Sequence, residues 1–274
     1  MRSHGLKVVL FCGGYGMRMR GSATDDVPKP MQLVGPYPLL WHVMRYFAHF
    51  GHKEFILCLG YGAQMIKDYF LNHAPTAHND FALRGGKVEL LDDEMSDWTI
   101  NFVDTGLTSS IGERLRRVRP LLGDDEIFLA NYADVLTDAD LPSMIDSFVD
   151  DGQAVASVMS VPPQDTFHVL EVDEKHRVTK ITPVATMPMR VNGGMIILRQ
   201  EVFDHLGPGE DLIGDAYARL ATQGRALAQP YDGFWKAADT FKERAELDRM
   251  WTTGQRPWAI WDRGAESPAV TGDR

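Results

Sequence analysis

The sequence predicts an α/β protein built on a sheet with crossover connections. Three observations carry that expectation. A continuous apolar run at 7–12 (KVVLFC) precedes a cluster of glycines, the pattern of a strand buried on both faces of a parallel sheet. Strand-like and helix-like segments then alternate as far as 161, the order that βαβ crossovers produce. The chain has 274 residues, 44% apolar and 24% charged. These are ordinary globular values with enough chain for a sizeable core. They exclude a disordered, collagen-like or disulfide-stapled chain.

The elements follow in order. After the strand at 7–12 come Gly13, Gly14 and Gly16 and a polar loop. Leu39, Leu40, Val43, Met44 and Phe47 share one stripe, which predicts a helix over 38–50 stopped at Gly51. A strand is expected at 54–59 and a helix at 63–70. Residues 72–98 read mostly as loop, with one strand near Val88. Further strands are expected at 99–103, 127–132 and 153–161, and helices at 112–122 and 141–149. Beyond these, 167–172 and 178–181 read as a hairpin about the polar EKH turn, followed by a loop at 182–190. A strand at 195–198 and helices at 215–222 and 240–251 complete the pattern. The last twelve residues read as a disordered tail. With no internal repeat and no low-complexity linker, 1–262 is expected to form one intertwined unit.

Acidic residues outnumber basic ones, giving a net charge of −10. That balance argues against a nucleic-acid partner, since neutralising phosphates along a strand needs a basic excess. A local basic pocket for a small anion stays compatible with it. Cys12 and Cys58 each lie in an apolar strand-like run and read as buried free thiols, which points to the cytoplasm. The apolar stretch near the start is too short for a signal peptide, and no run reaches the ~20 residues of a membrane span.

The segment FCGGYGMRMRGSATDDVPKPM carries the chemistry. Glycines let backbone approach a ligand closely, and successive N–H groups can cradle phosphate. A dinucleotide fingerprint is missing its third glycine and the acidic residue about 20 positions on. A Walker A loop is missing its Gly-Lys-Ser/Thr. Taken alone, the segment reads equally as a glycine-rich turn or a phosphate site.

The ordered set is more specific. GG-x-G-x-R followed by PKPM resembles the signature of sugar-1-phosphate nucleotidyltransferases. LLWHVMRYFAHFGHKEFILCLGYGAQMIKDYF, VDTG at 103–106, GERLRRV at 112–118, NYADVLTD at 131–138, VNGG at 191–194 and DGFWKAADTFKERAELDRMWTTGQRPWAIW resemble the glucose-1-phosphate cytidylyltransferase branch. The resemblance covers roughly 7–262. It implies a Rossmann-like, doubly wound, mostly parallel mixed sheet flanked by helices, with a small β-rich sugar-binding subdomain. The nucleotide-binding part would span about 1–140, the sugar-binding part about 141–240, and a C-terminal helix about 240–262.

The resemblance also implies the reaction and its residues. A sugar phosphate oxygen attacks the α-phosphate of an NTP, CTP being favoured, and pyrophosphate leaves. Such chemistry needs positioning and charge neutralisation more than covalent help. Gly13, Gly14 and Gly16 would approach the nucleotide. Arg18 would neutralise the departing pyrophosphate, and Lys29 would bridge phosphates near the α position. Arg114 would lie by the nucleotide. Asp134 and Asp239 would bind Mg²⁺, which takes one or two carboxylates plus phosphate oxygens and water. Asn192 and Gly193 would lie near the sugar. Family members commonly assemble, so a homo-oligomer is implied. Without the resemblance, Arg18 and Lys29 read as solvated charges, Asp134 as a loop or capping acid, Asp239 as an N-cap and Asn192–Gly193 as a turn.

Four departures stand out. Met17 replaces a small hydroxyl residue, and Ala133 replaces a glycine before Asp134. His168 stands where the family has a glycine beneath the sugar. TPVA at 182–185 replaces the family's E-K-P, so a carboxylate and a cation are gone. The nucleotide half is thus expected to be intact and the acceptor half rebuilt, with Arg190, Lys180 or His168 as replacement cations. The acceptor would be a phosphorylated sugar or polyol other than plain glucose 1-phosphate. Alternative readings are the same chemistry with GTP or dTTP, a nucleotide-binding protein that has lost catalysis, and an NAD-dependent enzyme, which the failed fingerprint disfavours.

Overall fold

The computed structural model describes residues 5–14, 27–72, 81–90, 95–164 and 167–262. Gly16, Met17, Arg18 and the 263–274 tail lie outside them. The strands and helices run β1 (Val8–Phe11), β2 (Leu33–Val34), β3 (Tyr37–Pro38), α1 (Leu39–His49), β4 (Glu54–Leu59), α2 (Ala63–Leu71), β5 (Phe81–Arg84), β6 (Lys87–Leu90) and β7 (Thr99–Asp104). Next come α3 (Ile111–Leu122), β8 (Ile127–Tyr132), β9 (Val135–Thr137), α4 (Leu141–Asp151), β10 (Ala156–Val161), β11 (His168–Val172), β12 (Val178–Pro183) and β13 (Val191–Arg199). A wide π-helical turn (Leu212–Tyr217) leads into α5 (Ala218–Thr222), and β14 (Ala226–Pro230), β15 (Trp235–Ala237) and α6 (Phe241–Thr252) follow.

Seven strands form the central sheet in the order β14-β10-β13-β8-β1-β4-β7. β1 pairs in parallel with β4 and β8, β4 with β7, and β10 with β14. β13 alone runs against its neighbours β8 and β10. The mostly parallel, Rossmann-like sheet flanked by helices therefore matches the predicted fold class. The apolar run of β1 is buried on both faces. Its alternate residues feed two cores: Val8 and Leu10 join Leu57, Leu129 and Ile197 on one face, and Val9 and Phe11 join Ile56, Phe128 and Ile196 on the other. This two-sided burial follows from helices packing on both faces.

The helix ends show the expected local chemistry. Ser110 caps α3 by accepting the Glu113 N–H, and Gly123 ends it at φ +59°. Asp140 caps α4, ahead of Pro142. Thr240 and Glu243 form a reciprocal capping box on α6, so Thr240 rather than Asp239 is the N-cap.

Several boundaries differ from the expectations. The single strand near Val88 is a hairpin, β5–β6, turned at Gly85 and Gly86. Asn192–Gly193 lies inside β13 rather than in a turn before it. The Asn192 Oδ1 accepts the N–H of Gly194, which sits at φ +89°. The irregular register of β10 and β13 there absorbs the distortion. Cys12 and Cys58 are buried free thiols, as expected, and burial pushes both up, Cys58 to about 12. Among the described residues no helix is long and apolar enough to cross a membrane.

Candidate active site

The carboxyl ends of β1 and β8 open into a cavity of about 680 Å³. In open parallel sheets this edge is where ligands bind. Gly13 and Gly14 form its floor, and Lys29, Pro30, Asp134 and Asp239 line one side. Leu107–Ile111, Tyr132 and Asp211 line the other.

Strand pairing explains how Asp134 and Asp239 meet. Asp134 follows β8 directly. The short strands β9 and β15 then pair with Val135 opposite Ala237, and the Ala238 N–H donates to the Asp134 carbonyl at 3.0 Å. This zipper carries Asp239 to the side of Asp134. The Lys29 Nζ lies between them, 2.5 Å from Asp134 Oδ2 and in contact with Asp239 Oδ1. Pro28 and Pro30 flank Lys29 at the short helical turn Lys29–Met31, which leaves its side chain 15% exposed. Burial works to lower the Lys29 pKa, but the charge and hydrogen bonds of Asp134 and then Asp239 outweigh it and raise it. Two carboxylates that already share one cation are a fitting donor pair for a divalent metal whose remaining ligands are phosphate and water. Among the described residues no larger metal-ligating cluster competes with them.

The glycine loop rests on Arg114. That guanidinium is buried and donates to the carbonyls of Leu59 (3.0 Å), Gly13 (3.1 Å) and Leu107 (3.4 Å), and to Thr105 Oγ1 (2.7 Å). It ties together the end of β4, the glycine loop and the segment before α3. A Cβ on Gly13 would lie 2.0 Å from Arg114 Nη1, whereas one on Gly14 would meet none of the described residues within 4 Å. Gly13 is thus demanded by the protein's own packing, while none of the described residues demands a glycine at 14.

The residues expected near the sugar are more scattered. Gly193 packs its backbone on Met159, and its carbonyl accepts Trp235 Nε1–H at 2.7 Å. The following Gly194 packs against the ring of Tyr132, where an added Cβ would lie 2.9 Å from Cδ2, and Tyr132 lines the cavity. His168 is exposed on β11 opposite Pro183 and does not line the cavity. The anticipated replacement cations are engaged elsewhere. Arg190 donates to Ser160 and Tyr231 carbonyls and pairs with Asp232, and Lys180 pairs with Glu171 across the β11–β12 hairpin. Pro30, Leu107–Ile111, Tyr132 and Asp211 were not singled out as site residues by sequence. The 107–111 loop joins the quoted VDTG and GERLRRV segments, so its place between them was the available signal. Asp211 had none beyond a position just before a helical run.

Residues 7–242 match the sequence profile of the nucleotidyl transferase family. A Bacillus subtilis protein named "Probable glucose-1-phosphate cytidylyltransferase" is 34% identical over 260 residues, 93% of this chain and all of that one. The glucose-1-phosphate cytidylyltransferase of Salmonella typhimurium is 31% identical, covering 94% of this chain and all of its own. Among solved structures, UDP-glucose pyrophosphorylase complexed with UDP-glucose superimposes with a TM-score of 0.65 at 18% identity, over 91% of this chain and 99% of that one. That last likeness speaks to the fold.

Proposed function

This chain belongs to the sugar-1-phosphate nucleotidyltransferases, and from that premise we propose that it transfers a cytidylyl group from CTP to a phosphorylated sugar or polyol other than plain glucose 1-phosphate. The observation that carries the reading is the meeting of Lys29, Asp134 and Asp239 beside the Gly13–Gly14 loop.

The acceptor's phosphate oxygen forms a bond to the α-phosphorus as the bond to the pyrophosphate oxygen breaks in line. Asp134 and Asp239 would hold Mg²⁺, which supplies positive charge to the phosphate oxygens when bound. The Lys29 ammonium, no longer shared by the two carboxylates, is then placed to neutralise charge near the α-phosphate as a point cation. The Gly13 and Gly14 amides would meet phosphate oxygens. Arg114 keeps that loop in place from beneath. Arg18 is assigned to the departing pyrophosphate on its motif alone. Asn192 and Gly193 are assigned to the acceptor side on their motif. His168 lies off the cavity, so the rebuilt acceptor specificity rests on the missing E-K-P.

A homo-oligomer belongs to the same reading. Cross-strand pairing puts Leu170 with Ile181 and Val172 with Val178 on one face of the β11–β12 hairpin, all half-exposed. A contiguous apolar face of this kind is usual at an interface.

Pyrophosphate release with Mg²⁺ tests the proposal, measured with CTP, UTP, GTP, ATP and dTTP against a panel of sugar phosphates. The expected outcome is turnover with CTP and a non-glucose acceptor. Efficient turnover of glucose 1-phosphate refutes the acceptor assignment. Preference for another NTP refutes the base assignment.

A further inference from the structure

The cavity has two ends of different chemistry, and they lie over opposite faces of the sheet. Lys29 and Asp239 adjoin Met31 and Ala238, which belong to one core. Ile111 and Asp211 adjoin Leu115 and Leu212, which belong to the other. A nucleoside triphosphate whose phosphates lie at the Lys29 end must therefore carry its base toward the far end. The ribose lies between.

At that far end, Phe11, Leu107, Ile111 and Tyr132 supply apolar and aromatic wall, and Thr108, Ser109 and Ser110 supply polar atoms. One charged side chain stands there beside the buried Arg114, the carboxylate of Asp211. Its placement is built. Ser110 Oγ donates to the Glu210 carbonyl at 2.8 Å. Gly112 is packed so closely that a Cβ would lie 2.3 Å from the same oxygen. The start of α3 and the start of the 212–222 helical run are thereby clasped together at the cavity wall.

Asp211 has two oxygens with different duties. Oδ1 caps the run, accepting the N–H groups of Ile213 and Gly214 at 2.9 Å each. Oδ2 has no cation within ion-pair distance among the described residues. A carboxylate oxygen is acceptor-only. Facing a base edge, it favours an exocyclic amino group and repels a carbonyl oxygen, as carboxylates do when they accept from cytosine N4.

We infer that Asp211 is a specificity-determining residue that reads the amino edge of the nucleobase and selects CTP over UTP. This rests on the nucleotidyl-transfer reading above. CTP and UTP are the decisive pair, because they match in size and differ at that edge in amino against carbonyl. A ribose contact is the competing role for a carboxylate at this wall, and the comparison of CTP with dCTP separates the two.

The test is calorimetric binding of CTP, UTP and dCTP to the full-length protein and to Asp211→Asn. Asparagine keeps an oxygen for the Ile213 and Gly214 amides, so the cap survives while the charge is lost. Its amide can also donate to a carbonyl. Wild-type protein is expected to bind CTP at least about tenfold more tightly than UTP, the scale of one hydrogen bond to a charged group. In Asp211→Asn that ratio should fall at least about fivefold, with the CTP/dCTP ratio unchanged. An unaltered CTP/UTP ratio in the variant overturns the inference and leaves the enzyme class standing. So does a change confined to the CTP/dCTP ratio, which would move Asp211 to the ribose. Failure of the wild-type protein to bind any of the three nucleotides overturns both the inference and the reading beneath it. Asp211→Glu serves as the folding control, and partial retention of the CTP preference is expected from it.

Discussion

The Arg114 guanidinium lies directly beneath Gly13, donating to its carbonyl across 101 positions of chain. The contact leaves no room for a side chain on Gly13, because an added Cβ would reach 2.0 Å from Nη1. The loop proposed to meet the nucleotide is therefore set from below by a buried charge.

Gly13→Ala should force either the loop or the guanidinium to move. The expected cost is about 1–3 kcal/mol of stability, typical of overpacking a filled site, together with a raised KM for the NTP. Thermal unfolding and steady-state kinetics check the two parts separately. Gly14→Ala, which meets no atom of the described residues, should leave stability unchanged and raise KM alone.

Arg114→Lys should be more damaging than its retained charge suggests. A single ammonium cannot serve four acceptors spread over Leu59, Gly13, Leu107 and Thr105. Buried carbonyls left unpaired should cost about 2–4 kcal/mol. Denaturant unfolding measures that loss, and kcat/KM for the NTP should fall by about tenfold or more as the loop loosens.

Asp134→Asn and Asp239→Asn should each lower kcat by about a hundredfold or more while the protein stays folded, since each removes half of the carboxylate pair. Chelation should abolish pyrophosphate release, and added Mg²⁺ should restore it. If turnover survives in chelator, the metal assignment fails.

Stability should fall on mild acidification. His42 is wholly buried, with Nε2 against the Val34 carbonyl (2.9 Å) and Nδ1 accepting Trp258 Nε1–H (3.4 Å). Burial lowers its pKa from 6.5 to about 4, which the Val34 hydrogen bond partly offsets. The unfolded chain therefore binds the proton more readily than the folded one between those values. The contribution is fully present above pH 6.5 and is lost as pH falls, reaching roughly 3 kcal/mol near pH 4. His52, also lowered by burial to about 4, steepens the same slope. Tm measured against pH should show this decline, and His42→Gln should flatten it.

The elements with sustained patterns were legible. β4 and β8 begin and end where their apolar runs do. The proposed catalytic constellation was legible only through its motifs, since nothing local in AADT says that Asp239 reaches Asp134. That meeting depends on β9 and β15, three residues each, too short to show a period. Asn192–Gly193 read as a turn because Asn-Gly favours one, yet pairing of Asn192 with Ser160 and Val191 with Val161 of β10 draws the pair into a strand. Asp211 was invisible for a different reason. Its place at the cavity comes from the clasp between 110–112 and 210–212, a contact between segments distant in sequence and without any shared motif.

The reversal of β13 has an architectural consequence. The parallel strands hand their last residues to the ligand edge, but β13 arrives there with its first, at 191–194. The stretch leading into it, 184–190, lies upstream of the β13–β8 register set by Ile196 through Arg199. Length changes there are absorbed before any ladder bond to β8 is made. The proposed acceptor side of the molecule can therefore be re-tailored by insertion or deletion while the proposed nucleotide side keeps its geometry, much as an interchangeable tool head leaves the handle untouched.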